Sequence, residues 1–129
     1  MNLYPLKFIP IYKEYLWGGN KLKEVLQKDV KTTTASESWE LSGVEGNVSV
    51  ASNGELQGKT LQELIDTYKE ELLGASVYKR FGNKFPILIK FIDAKLDLSV
   101  QLHPNDALAK ERHNSFGKTE MWHVMQADP

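Results

Sequence analysis

The stretch KLDLSVQLHPND, Lys95–Asp106, decides how the fold of this chain is read. From Leu96 to His103 the residues alternate without a break: Leu96, Leu98, Val100 and Leu102 on one side, Asp97, Ser99, Gln101 and His103 on the other. Period-2 alternation predicts a strand with one buried and one polar face. Pro104 would end that strand and fix the direction in which His103 leaves it. The polar face closes on an amide and an imidazole two residues apart, side chains that point the same way about 7 Å from each other.

Upstream, ILIKFIDA (Ile87–Ala94) is apolar on both faces except for Lys90, the pattern of a strand covered on both sides. Further back, ASESWELS alternates around Trp39 and Leu41, and Val48 to Ala51 reads as a brief strand in a turn-rich stretch. PLKFIP is a short extended segment bounded by prolines, WGG (Trp17–Gly19) a turn, and NKLKEVLQ one or two helical turns capped by Asn20. The clearest helix starts at Thr60, where Thr60-Leu61-Gln62-Glu63 has the form of a capping box. Leu61, Leu64, Ile65, Tyr68 and Leu72 share one face of it, and Gly74 can end it. Downstream, NDALAKERHNSFG predicts a helix started by Asn105 or Asp106 and stopped near Gly117. KTEMWHVMQA then reads as a last strand, with Glu120, Trp122, Val124 and Gln126 on one side. Strands dominate this reading, and a β-sandwich or barrel with helical insertions in a single domain, residues 1–129, is the expected architecture.

Bulk composition narrows the partners. The 16 basic and 17 acidic residues nearly cancel, so no global field points to nucleic acid or to an anionic membrane. Cysteine is absent, which removes disulfides, thiolate nucleophiles and Cys-type zinc sites and fits a reducing compartment. The segment MNLYPLKFIP has neither a basic leader nor a long apolar run, so a soluble, cytoplasmic protein is expected.

Gln101 and His103 can converge on one metal ion, imidazole nitrogen and carboxylate oxygen being ordinary zinc ligands and an amide oxygen a less common one. A Gln-x-His pair on a strand is more commonly a solvated surface pair. Glu120 is a natural third ligand if the two strands pair, and His113 and His123 compete with it; spacing does not choose among the three. His113, amid KERHN, reads as an exposed helix residue, and His123 lies on the strand face opposite Glu120. Lys90 either snorkels to the surface, the commoner fate, or pairs with an anion. Lys118 shares the face of Glu120 and by itself is a loop lysine. The three tryptophans suit a core, with Trp17 in its glycine turn the least core-like and able to stack on a sugar.

Four blocks in order, PLKFIPIYKEYLWGGNKL, SESWELS, FPILIKFIDAKLDLSVQLHPND and GKTEMWHVMQA, resemble the type I mannose-6-phosphate isomerases, or phosphomannose isomerases, from Pro5 to Ala127. The resemblance implies a cupin-type jelly roll and a zinc-dependent aldose–ketose isomerase that interconverts mannose 6-phosphate and fructose 6-phosphate. It implies Gln101, His103 and Glu120 as zinc ligands, so Glu120 takes the third place over His113 and His123. It implies Lys118 as the catalytic candidate, with Trp17, Ser99 and Lys90 as substrate-binding residues; the proton-shuttling base is not named. The family's chains are longer and supply a distal histidine and a basic phosphate-binding residue downstream. The expectation is therefore an N-terminal portion of such an enzyme, inactive when isolated. Its open strand edges favour association into a homo-oligomer. A non-catalytic cupin-like sugar-binding or regulatory module is the alternative. An iron or manganese cupin oxygenase is a third reading, disfavoured because one histidine of three lies in the motif.

Overall fold

Three short strands, Ile11–Lys13 (β1), Glu37–Leu41 (β2) and Ile89–Ile92 (β3), form one antiparallel sheet in the order β1-β2-β3 in a computed structural model that describes residues 3–129. Four helices accompany them: Lys21–Glu24 (α1), Leu61–Leu73 (α2), Ala75–Phe81 (α3) and Asp106–His113 (α4). The chain divides into two compact units, one running to Leu98 and the other from Ser99 to Pro129.

In the first unit the register places Lys13 opposite Glu37, Trp39 opposite Lys90 and Ile11 opposite Trp39. Alternation therefore puts Lys13, Glu37, Trp39 and Lys90 on one face of the sheet, with Tyr12, Ser38 and Phe91 on the other. Tyr12 and Phe91 pack on a buried cluster of Leu22, Val30 and Ala35. A second cluster, Ala51, Leu56 and Leu64, gathers Leu6, Phe8, Tyr68 and Leu72 around the inner face of α2. The buried serines between these elements are bonded: Ser36 Oγ accepts from Tyr15 N at 2.6 Å and donates to Tyr15 O at 3.0 Å. Ser49 Oγ accepts from Ser42 N at 2.8 Å. Buried hydroxyls are tolerable because each has a partner.

Helix α2 matches its expectation. Thr60 Oγ1 accepts from Glu63 N at 3.1 Å while Thr60 N donates to Glu63 Oε2 at 2.8 Å, completing the capping box, and Gly74 closes the helix. A kink at Lys69, with φ 48°, breaks its regularity, and α3 follows Gly74 without having been expected. Asn20 precedes α1 as expected, yet its side chain makes no cap; Asp93 Oδ2 accepts from Lys21 N at 2.7 Å instead. A residue distant in sequence does the capping, which local pattern cannot reveal.

Several expected strands differ. β3 forms as foreseen, but it is not buried on both faces: Ile89 is exposed and Lys90, Phe91 and Ile92 are half-buried, and the strand lies at an edge of the sheet. Val50 and Ala51 make isolated bridges to Thr60 and Phe8 rather than a strand. The alternating stretch Leu96–His103 is not a strand: Val100 is 104% and Leu102 95% exposed, and no described strand pairs with it. The segment Lys118–Ala127 is likewise irregular and exposed, including Trp122, which is not a core residue. Alternation reports which face a strand would bury, but a strand forms only where a neighbouring backbone takes its hydrogen bonds. Among the described residues helices hold more of the chain than strands do. No helix among them is long and apolar enough to cross a membrane.

Candidate functional site

The second unit gathers its polar residues by folding the chain back on itself after His103. Asn105 Oδ1 caps α4 by accepting from Leu108 N at 3.0 Å, and Asn114 in a left-handed conformation ends the helix. The returning chain is then tied to the helix start: Gly117 N donates to Asp106 Oδ1 at 2.8 Å and Lys118 N to Pro104 O at 3.3 Å. A Cβ at position 117 would meet the Asn105 carbonyl carbon and Asp106 N at 2.6 Å, so the approach requires glycine. The motifs HPND and GKTE thus belong to one closed loop, and its closure brings Glu120 to His103.

Glu120 Oε1 lies 3.4 Å from His103 Nε2 and 2.6 Å from Lys118 Nζ. Trp122 Nε1 donates to Glu120 Oε2 at 3.3 Å. The Lys118 hydrogen bond, aided by Trp122 and by the charges of Lys118 and His103, holds the Glu120 carboxyl below the usual glutamate range against a smaller opposing effect of desolvation. Gln101 takes a different partner, its Nε2 donating to Ser99 Oγ at 3.0 Å. That bond leaves the amide oxygen Oε1 as the group Gln101 can offer a cation. Among the described residues no cluster of three or more His, Asp or Glu side chains is poised to hold a metal. His113 and His123 are exposed, His113 at the last position of α4. Of the expected ligands the structure brings His103 and Glu120 together and leaves Gln101 on Ser99. Trp122 as a Glu120 partner was not anticipated, although the alternation that placed both residues on one face carried the signal.

The first unit holds Trp17 and Lys90. Trp17 is half-buried and stacks on Tyr15, with ring centroids 5.5 Å apart and planes inclined by 23°. Its carbonyl accepts from Lys95 N at 2.9 Å and Leu96 N at 3.1 Å. The turn is fixed by its glycines: a Cβ at Gly18 would lie 2.8 Å from Ser36 Cα, and one at Gly19 2.6 Å from Asp93 Oδ2. Lys90 does not snorkel. Its Nζ bonds Glu37 Oε1 at 3.0 Å, and Trp39 Nε1 donates to Glu37 Oε2 at 2.7 Å. Lys13, whose Nζ bonds Asn47, and Lys90 stand over the Trp39 ring at 4.8 and 5.8 Å. Glu37 was not singled out from sequence, although an acid two residues from a tryptophan on one strand face was visible there.

Comparison with known proteins agrees with the motifs. The family model of the phosphomannose isomerase type I catalytic domain matches residues 5–121. A probable mannose-6-phosphate isomerase of Bacillus subtilis is 38% identical over 123 residues, 95% of this chain and 38% of that protein. The mannose-6-phosphate isomerase of Streptococcus mutans is 41% identical over 113 residues, 88% of this chain and 34% of that one. The crystal structure of the Bacillus subtilis mannose 6-phosphate isomerase superposes with a TM-score of 0.77 at 32% identity, covering 88% of this chain and 35% of that one. The chain thus spans little more than a third of the length of these relatives, and with 117 contiguous residues matched, from 5 to 121, it belongs to the type I phosphomannose isomerases.

Proposed function

We propose that this chain carries part of the metal- and substrate-binding machinery of a zinc-dependent aldose–ketose isomerase acting on mannose 6-phosphate and fructose 6-phosphate. The observation that carries the reading is the His103–Glu120 pair. Two ligands on a tetrahedral zinc with bonds near 2.0–2.1 Å stand about 3.3 Å apart. His103 Nε2 and Glu120 Oε1 are separated by 3.4 Å. The donor set fits as well: an imidazole, an ionised carboxylate and, from Gln101, an amide oxygen not engaged by Ser99. When bound, zinc supplies Lewis-acid stabilisation of the oxyanion that develops as a carbonyl moves between C1 and C2.

The protein's own groups have separable tasks in this proposal. His103 and Glu120 offer the converging lone pairs. Lys118, on Glu120 Oε1 at 2.6 Å, keeps that carboxylate ionised and presents an ammonium that can hydrogen-bond a substrate oxygen. Substrate-binding roles are proposed for Ser99, Trp17 and Lys90, the last as a cation suited to the phosphate or a sugar oxygen. The matched catalytic-domain span, residues 5–121, takes in most of each unit, and a cupin-type jelly-roll fold for the family's catalytic domain belongs to the proposal. A cytoplasmic setting and inactivity of the isolated 129 residues belong to the same proposal.

Isomerisation of mannose 6-phosphate by the native protein that carries these residues tests the reading. His103→Ala and Glu120→Gln should each lower turnover by about 100-fold or more with circular dichroism unchanged, as loss of a metal ligand does. No turnover by the zinc-loaded wild type would contradict it and leave the non-catalytic sugar-binding module as the better reading.

A further inference from the structure

Asp106 stands at the first position of α4, where an acidic side chain ordinarily serves its own helix. This helix already has a cap, because Asn105 Oδ1 takes the Leu108 N–H at 3.0 Å. Asp106 Oδ1 goes instead to Gly117 N, 11 residues ahead, at 2.8 Å. Two neighbouring side chains thus divide the work: one starts the helix and the other holds the chain that returns past it.

That return needs a hold. α4 is regular from Asp106 to His113, but from Phe116 onward the chain forms neither helix nor strand. Glu120 lies on this irregular stretch, three residues beyond Gly117, and still reaches within 3.4 Å of His103. Two backbone amides tie GKTE to HPND: Gly117 N to Asp106 Oδ1, and Lys118 N to Pro104 O at 3.3 Å. The first is the shorter, and its acceptor is a carboxylate, which makes it the stronger clasp. All of these residues belong to the one unit Ser99–Pro129. A cation that must gather two ligands from separate ends of a mobile loop bears the cost of closing it, and a loop closed beforehand removes that cost.

We propose that Asp106 is the positioning residue of the His103–Glu120 pair, holding Gly117 so that the loop is closed before a metal ion arrives. This rests on the zinc-binding role proposed above for that pair. Asp106 acts through the Gly117 amide and not as a ligand. Its loss should therefore weaken metal binding by the folded protein, which a carboxylate that only stabilises the fold would leave unchanged.

Zinc affinity of the native protein, measured by competition with a chromophoric chelator where urea curves show every variant folded, reads the effect. Asp106→Ala should lower that affinity by about tenfold, whereas Asp106→Asn, which keeps an oxygen acceptor, should stay within about threefold of wild type. Thr60→Ala, which removes the hydroxyl cap of α2, should lower stability and leave zinc affinity the same. Hydrogen exchange on the metal-free proteins gives a second readout: the Gly117 amide should exchange about tenfold faster in Asp106→Ala and near the wild-type rate in Asp106→Asn. Wild-type zinc affinity in folded Asp106→Ala, an equal loss in Asp106→Asn, or a Gly117 amide that Asp106→Ala leaves protected would overturn the proposal alone. A wild type that takes up no zinc would overturn the functional reading and this proposal with it.

Discussion

At the scale of single residues, Gly117 has the largest consequence for its size. It lets the returning chain touch the backbone at Asn105 and Asp106, and that contact sets the distance from Glu120 to His103. Gly117→Ala should destabilise the protein by about 1–3 kcal/mol through overpacking against backbone. It should also weaken metal binding more than it weakens folding; calorimetric zinc titration beside urea denaturation separates the two effects. Trp122→Phe makes a finer probe, because it removes the N–H on Glu120 Oε2 and keeps an aromatic, though smaller, ring at the position. The carboxyl of Glu120, measured by carbon NMR, should then titrate nearer the ordinary glutamate range. His103, Lys118 and Glu120, which the structure brings together in this loop, are the side chains that the motifs HPND and GKTE name. Glu37 and Asp93 were not legible in their roles. Each acts on a group far away in sequence, 53 residues in the Glu37–Lys90 bond and 72 in the Asp93–Lys21 bond.

At the scale of elements, α2 is the part that local sequence specifies most fully. Its cap, its buried stripe and its terminating glycine all lie within 15 residues, so no distant partner is needed to foresee it. Thr60→Ala should cost about 1 kcal/mol by thermal denaturation. Glu63 is held below the usual carboxylate range mainly by the Thr60 backbone N–H and then by its hydroxyl. A lowered folded value means that the capping box adds stability above the ordinary glutamate range and loses it as pH falls through the folded value. Glu63→Gln should therefore flatten the acid limb of the stability profile and leave the slope near neutrality unchanged. Leu64, fully buried in the second cluster, should cost about 2–5 kcal/mol when replaced by alanine. The sheet was less legible than the helix. SESWELS and ILIKFIDA do supply β2 and β3, but pairing partners and edges are properties of the sheet, and β3 at an edge cannot be told from a central strand by its apolar run.

At the scale of the whole molecule, the uncovered apolar residues are the main feature the alternation misjudged. Val100, Leu102, Phe116, Met121 and Val124 are all exposed in the second unit, and Ala109 is its buried apolar residue. The 129-residue chain should bind a hydrophobic dye and associate as concentration rises, both suppressed by Val100→Glu with Leu102→Lys. Sedimentation velocity that stays monomeric up to high concentration would contradict this. Hydrogen exchange should protect α4 within Ser99–Pro129 and leave the rest of that unit open, since few of its amides are bonded.

We propose that His103 and Glu120 hold a zinc ion in an isomerase of this family. Metal analysis of the native protein and of its His103→Ala variant, both dialysed against the same low zinc concentration, tests it most directly. The expected result is about one zinc per wild-type chain, as for a mononuclear site, and a loss of about tenfold or more in affinity for the variant. Equal zinc in the two proteins would contradict the assignment.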